Sequence, residues 1–304
     1  MQIFVIVLYL VTLGVLALYG VHRSALLFLY LRHRHERTAP QARFDEADLP
    51  MVTIQLPMFN EMFVVERLID AAARIDYPRH RLEIQVLDDS TDATSTIARS
   101  KCRVLRDEGL DIAYLHRDDR VGYKAGALEA GMMRAKGDFL LVFDADFVPG
   151  PSILRDLIDF FRDPSVGMAQ ARWAHLNGGR SLLTRCQAML LDGHFVIEHA
   201  ARNRSGRFFN FNGTAGKCRK AAITAAGGWQ HDTITEDMDL SYRAQLAGWK
   251  FVYAPHVSAP AELPSDMSSF KGQQYRWAKG SVQTARKLLG LILLAPVGRK
   301  VKTE

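Results

Sequence analysis

Hydrophobic residues run from Ile3 to Val21 without a single charge. About nineteen helical residues at 1.5 Å rise reach roughly 28 Å, close to the thickness of bilayer hydrocarbon, so this run predicts one membrane-spanning helix. A second apolar stretch, Ala25 to Leu31, follows Arg23 and leads into Arg32, Arg34 and Arg37, interleaved with His33 and His35. Such a basic flank predicts a cytoplasmic side. A cleaved signal peptide would show a positive start before the apolar core and small residues after it, and neither stands here. The chain therefore divides into an anchor with its basic flank (1–37), a linker with Pro40 and Pro50 (38–50), a soluble body (51–265) and a C-terminal segment (266–304).

Beyond Pro50 the period of the pattern changes. Short apolar strands at Val52–Leu56, Ile84–Leu87, Ile112–Leu115 and Phe139–Phe143 alternate with amphipathic helices near Glu61–Arg74, Thr94–Arg106 and Tyr123–Ala135. This βαβ repetition predicts an α/β, Rossmann-like, mostly parallel sheet with helices on both faces, and ligands beyond the carboxyl ends of its strands. Pro149-Gly150-Pro151 interrupts the alternation, separating a first half (51–150) from a second (151–265) that reads as longer helices mixed with irregular polar segments.

Composition narrows the partners. A 304-residue chain with 48% hydrophobic and 24% charged residues buries a full core, which excludes disorder and disulfide mini-scaffolds. The net charge of +6 favours anionic partners. Its basic residues are not concentrated on one element of the soluble part, which argues against nucleic acid. The three cysteines, Cys102, Cys186 and Cys218, are too widely spaced for a metal clip or a disulfide framework, as in a reducing compartment.

Two of the predicted strands end in acids, Asp88-Asp89-Ser90 and Asp144-Ala145-Asp146, which a parallel sheet brings to one rim. Like charges about 4 Å apart repel by on the order of 4 kcal/mol at an effective dielectric near 20, so convergent acids call for a cation. A hard divalent ion bridging carboxylate and diphosphate is one answer, with Lys124 at a helix start as a second phosphate contact. The plainer reading makes these acids turn and helix-cap residues, with Asp89 or Asp92 capping the next helix. No G-x-G-x-x-G follows a strand, and Gly213-Thr214-Ala215-Gly216-Lys217-Cys218 has the wrong spacing for a phosphate-binding P-loop. Thr235-Glu236-Asp237 opens a helix that closes at Gly248, where the dipole favours ionised carboxylates. Thr233 and Glu236 have the spacing of a capping box, which leaves Asp237 as the candidate general base. Gln273, Arg276 and Trp277 fall at i, i+3 and i+4, on one helix face suited to phosphate and a stacked sugar ring.

Taken in order, Pro57-Met58-Phe59-Asn60-Glu61, Asp88-Asp89-Ser90, Lys124-Ala125-Gly126, Asp144-Ala145-Asp146, Thr235-Glu236-Asp237 and Gln273-Gln274-Tyr275-Arg276-Trp277 resemble the motifs of processive family 2 glycosyltransferases. The chain is similar to cellulose synthase and, through Gln170-Ala171-Arg172-Trp173 and Phe211-Asn212-Gly213-Thr214-Ala215-Gly216, closer to glucomannan and mannan synthase-like enzymes. The resemblance spans roughly residues 50 to 290. It implies a GT-A type fold, inverting transfer, and a nucleotide sugar held with Mg2+ or Mn2+. It places Asn60 and Glu61 beside the base, Asp88 and Lys124 beside the nucleotide and its phosphates, and Asp144 and Asp146 at the phosphates and metal. Asp237 matches the general base. Gln273, Arg276 and Trp277 match the residues at the diphosphate and acceptor, with Phe211, Gly213 and Trp173 bordering the acceptor.

Three departures stand out. Phe59 occupies a position where Tyr is common, so a hydroxyl contact is lost. Lys217-Cys218 replaces an apolar or aromatic pair, which bears on acceptor preference. Relatives continue into several membrane spans that conduct the polymer outward, whereas Leu288 to Val297 offers only about ten apolar residues, too few to cross a bilayer. With Arg299-Lys300-Val301-Lys302 they predict an amphipathic interfacial segment. The implied activity is transfer of a hexose from UDP-glucose or GDP-mannose to a growing β-linked polysaccharide at the cell membrane, from a cytoplasmic catalytic domain, with a possible channel-forming partner protein. The alternatives are single-sugar transfer to a lipid, as in ceramide glucosyltransferase-like members, and a truncated non-catalytic partner of a complete synthase.

Overall fold

A computed structural model describes residues 2–303. Its first helix, α1 (Gln2–His33), is unbroken over 32 residues. Among the described residues it is the one helix long and apolar enough to cross a membrane, and its most apolar window, of mean hydropathy 2.5, is entirely unburied. The C-terminal third behaves differently. Leu26 is 3% exposed, Tyr30 packs against the core of the body, and Arg23 pairs with Glu198. The second apolar stretch of the sequence is thus the docking face of the same helix.

The body builds from β1 (Val52–Met58), α2 (Val65–Ala73), β2 (Leu82–Asp88), α3 (Thr94–Asp107), β3 (Ile112–His116), α4 (Tyr123–Arg134) and β4 (Phe139–Val142). Then follow α5 (Ile153–Ile158), β5 (Val166–His175), α6 (Leu182–Asp192), a π-helical turn (Gly193–His199), α7 (Ala200–Arg204), β6 (Gly216–Arg219), α8 (Lys220–Ala225), α9 (Glu236–Leu246), β7 (Lys250–Ala261), α10 (Met267–Leu294) and α11 (Arg299–Lys302). The strands form one seven-stranded sheet in the order β3-β2-β1-β4-β6-β5-β7. β1 runs parallel to β2 and β4, β2 to β3, and β5 to β7, while β6 lies antiparallel between β4 and β5.

The first four strands stand close to where the apolar runs put them. Both faces of the sheet are covered, so strand side chains alternate between two cores rather than between core and water. Ile54, Leu56 and Leu141 meet α2, α3 and α5 on one side, and Leu140, Val142 and Met168 meet α4, α8 and α9 on the other. The second half corrects the expectation of helices and irregular segments, since β5, β6 and β7 complete the sheet there. β6 is only four residues long, and β7 carries Pro255 at a register shift opposite Ala171/Arg172 and Pro260 further on, so neither shows strand periodicity. The helix expected from Glu61 begins at Val65, because Asn60 takes a left-handed φ of 56° and Glu61 stays in the turn.

Lys217 lies in β6, fully buried, with its Nζ 5.1 Å and 5.4 Å from the ring centroids of Phe139 and Phe161. It therefore faces the core and not an acceptor. The ammonium has no hydrogen-bond partner among the described residues, and burial pushes the amine well below its ordinary range. The unfolded chain keeps that proton up to the ordinary value of 10.5 while the folded chain sheds it earlier, so folding is disfavoured at neutral pH and less so as pH rises. Lys217→Met is expected to stabilise the protein at neutral pH by about 1–3 kcal/mol. Thermal melts should show that advantage shrinking at strongly alkaline pH.

Candidate active site

At the carboxyl edge of the sheet the chain turns sharply, and side-chain bonds hold each turn. Asn60 donates its backbone N–H to Ser90 Oγ at 2.8 Å and accepts the Thr91 N–H on Oδ1 at 2.9 Å. Asp88, fully buried, accepts the Ser90 N–H at 3.0 Å and the Tyr114 hydroxyl at 2.6 Å, with His116 Nδ1 at 3.0 Å. Burial alone would raise its carboxyl, but the bonds from Tyr114, Ser90 and Ser95 hold it below the ordinary range. Neither Asn60 nor Asp88 lines the cavity described next; both brace the loops beneath it. Asp89 does reach the cavity, fastened by Arg117 through Nε at 2.8 Å and Nη2 at 2.5 Å. Asp92 accepts the Thr94 N–H at 2.9 Å, a turn role, and no side chain caps α3.

The cavity holds about 1030 Å³ and gathers Glu61, Lys124, Asp144, Asp146, Gly213 and Asp237. Lys124 enters from the first turn of α4, whose tight start requires Gly126: an added Cβ there would sit 2.0 Å from the Val121 carbonyl oxygen. The Lys124 ammonium pairs with Asp144 and donates to the Gly213 carbonyl at 3.0 Å. Gly213 has a φ of +77°, and a Cβ on it would lie 2.8 Å from Asp237 Oδ2. Asp144, Lys124, Gly213 and Asp237, distant in sequence, therefore share one wall.

The charges there perturb one another. Burial and then the charge of Glu236 push Asp237 up to about 7, while Lys124 pulls the other way. Burial and the neighbouring Asp144 push Asp146 up to about 7. Burial alone would lower Lys124, but Asp144, Glu236 and Asp237 raise it above its ordinary range. The capping-box spacing of Thr233 and Glu236 does not form a capping box. Instead Thr233 donates to the Thr235 carbonyl at 3.3 Å, α9 starts at Glu236 with no side-chain cap, and the Glu236 carboxyl is raised by burial.

Helix α10 forms the far wall. Asp266 caps it by accepting the Ser269 N–H at 2.9 Å, and Gln273, Arg276 and Trp277 face the cavity together. The Trp277 ring centroid lies 6.5 Å from that of Trp173, which packs on Phe147 at 5.4 Å and Phe195 at 5.0 Å. Gly280 lets α10 press on the loop before α9, since a Cβ would come within 2.4 Å of Thr235 Cγ2. Phe211 is 1% exposed and packs in the core, so Asn212 and Gly213, not Phe211, border the cavity. The apolar run after Leu288 is the end of α10, with Leu291, Leu293 and Leu294 exposed, followed by the short basic α11.

The family model described as glycosyltransferase like family 2 matches residues 50–280. The chain belongs to glycosyltransferase family 2. It is 43% identical over 263 residues to glucomannan 4-beta-mannosyltransferase 2 of Arabidopsis thaliana, a match covering 85% of this chain and 49% of that protein. It is 44% identical over 255 residues to probable glucomannan 4-beta-mannosyltransferase 9 of Oryza sativa subsp. japonica, covering 82% and 48%. The chain thus spans about half the length of these curated relatives. A mannosyltransferase from Pyrobaculum calidifontis, solved in complex with GDP-Man and Mn2+, shares its fold at a TM-score of 0.72 and 23% identity, over 90% of this chain and 74% of that one. The sheet and helices of this family 2 chain are a GT-A type fold.

The donor set at Asp144 and Asp146 suits a hard cation. Both offer oxygen, and Asp146, raised first by burial and then by the charge of Asp144, sits where a bound cation would favour its ionised form. Among the described residues no group of three or more His, Cys, Asp or Glu is placed to hold a metal.

Some lining residues of the family 2 chain escaped the sequence pattern. Arg120 stacks its guanidinium 3.2 Å from the Phe59 ring centroid and 5.2 Å from that of Tyr123. Phe59 thus gains a stacked cation where a hydroxyl contact was expected to be lost. His231 and Gln283 also reach the cavity. Arg120 and His231 sit in irregular stretches, where no periodicity marks them, and Tyr123 is the first residue of α4.

Proposed function

We propose that the chain is the catalytic part of a membrane-anchored, inverting glycosyltransferase that moves a hexose from a nucleotide sugar to a growing β-linked polysaccharide. One observation supports this above the others: Asp237 faces the Lys124–Asp144 pair across the Gly213 turn inside one cavity. A carboxylate poised near 7 has the basicity to take the proton of an acceptor hydroxyl as that oxygen attacks the anomeric carbon. Attack from the side opposite the leaving diphosphate inverts that carbon. Lys124 and Arg276 hold the diphosphate, Arg276 through its planar fork of donors, and Trp277 and Trp173 provide ring faces for sugar units. Glu61 lies on the donor side. Mg2+ or Mn2+, held by Asp144 and Asp146, would neutralise charge on the departing nucleoside diphosphate.

The mannosyltransferase names of the relatives and the GDP-Man of the structural neighbour favour GDP-mannose as donor over UDP-glucose. Helix α1 would lie in the cell membrane, with Arg32, Arg34 and Arg37 keeping the body on the cytoplasmic face. A channel-forming partner protein would carry the product outward. Incubating the membrane-embedded chain with each donor and Mn2+ tests the reading through nucleotide release and product size. A ladder of lengthening glycans is expected. A single product would replace the polymer with a lipid or one-step acceptor, and no release from either donor would overturn the assignment.

A further inference from the structure

The π-helical turn between α6 and α7 inserts an extra residue into the helical path, a feature that re-aims side chains and recurs at functional sites. Here it brings the rings of His194 and His199 to 4.3 Å. The hydrogen bonds around them admit one arrangement of protons. His199 Nε2 lies 2.7 Å from Asn212 Oδ1 and 3.1 Å from the Asn210 carbonyl oxygen, both acceptors, so Nε2 carries the proton. With its oxygen committed to His199, Asn212 turns its amide nitrogen to His194 Nε2 at 3.2 Å. An amide nitrogen only donates, so His194 Nε2 accepts, and its proton sits on Nδ1, facing Glu198 Oε2 at 3.4 Å. Glu198 in turn pairs with Arg23 of α1 and with Arg202 at 3.4 Å.

The inner end of this chain reaches the reaction site. Asn212 lines the cavity and donates its backbone N–H to Gln170 at 3.1 Å, and the next residue is Gly213, whose carbonyl accepts from Lys124 and where a side chain would run into Asp237. We propose that His194 is a positioning residue: through Asn212 it holds the Gly213 turn against Asp237 and Lys124, and Arg23 of α1, through Glu198, sets the orientation of its ring. The inference rests on the glycosyltransferase reading and extends it to residues outside the cavity wall. It also makes α1 part of the catalytic geometry as well as an anchor.

Replacing His194 separates this role from packing. Gln places an acceptor near the position of Nε2, whereas Leu fills the space without one. His194→Leu is expected to lower kcat by about ten- to a hundredfold, the usual cost of a displaced catalytic group, with the KM for nucleotide sugar within about twofold. His194→Gln should recover most of that loss, and Arg23→Met should give a smaller loss of the same kind that is not additive with His194→Leu. Full-length protein in membranes is used, and thermal midpoints are recorded for each variant; if His194→Leu does not fold, the Gln and Arg23→Met variants carry the comparison. An unchanged kcat in a folded His194→Leu protein, equal losses with Leu and Gln, or a rise in KM at constant kcat would each overturn the relay. Absence of transfer by the wild-type chain would instead overturn the underlying reading.

Discussion

Replacing Asp237 by asparagine is expected to lower sugar transfer by about 10²–10⁴-fold, the usual contribution of a positioned general base. The side chains are close in size, so Oδ1 still accepts the Met238 N–H, now at 2.8 Å, and the start of α9 keeps its form. What disappears is the capacity to take a proton. The sign for stability is opposite to that for activity. Burial and Glu236 raise Asp237 to about 7 in the folded state against an ordinary 3.8, so the folded chain binds more protons than the unfolded one between these values. Stability therefore falls as pH rises through that window, and the asparagine variant escapes the loss. Melts above neutral pH should find Asp237→Asn at least as stable as wild type, while nucleotide release nearly vanishes. The wild-type rate should climb with pH through about 7 as the carboxylate forms. Equal rates for the two proteins would end the assignment of Asp237.

Removing divalent cation is expected to abolish transfer, and Asp146→Asn to reduce it at saturating Mn2+ by at least about a hundredfold, since metal stabilisation of a leaving diphosphate is worth several kcal/mol. Asp146 is the cleaner target, because Asp144 also pairs with Lys124. Calorimetry with GDP-mannose should detect binding that Mn2+ strengthens in wild type and scarcely alters in Asp146→Asn. A chelator-treated protein that keeps its full rate would remove the metal from the scheme.

The parts of the site legible in the sequence are those tied to element ends. Lys124 starts a helix, Asp144 follows a strand, Asp237 opens another helix, and Gln273, Arg276 and Trp277 share a helical face, so their placement follows from the elements. Asp88 is the instructive exception. Its position at the end of β2 was legible, but not that Tyr114 and His116 on the neighbouring strand turn its carboxylate away from the cavity. Which of Phe211 and Asn212 faces the cavity depends on a loop with no period. The π-helical turn breaks the 3.6-residue rhythm, which hid His194 and His199. Of the last three strands, β6 was hidden because it is short and antiparallel, and β7 because prolines interrupt it.

The docking of Leu26 and Tyr30 sets a boundary for anyone wishing to free the catalytic body from its lipid-soluble stalk. Cutting at the end of the long helix would strip away two hydrophobic keys and uncover their sockets, inviting clumping. Cutting just ahead of Arg23 would spare those keys and the ion pair with Glu198, shedding only the greasy portion.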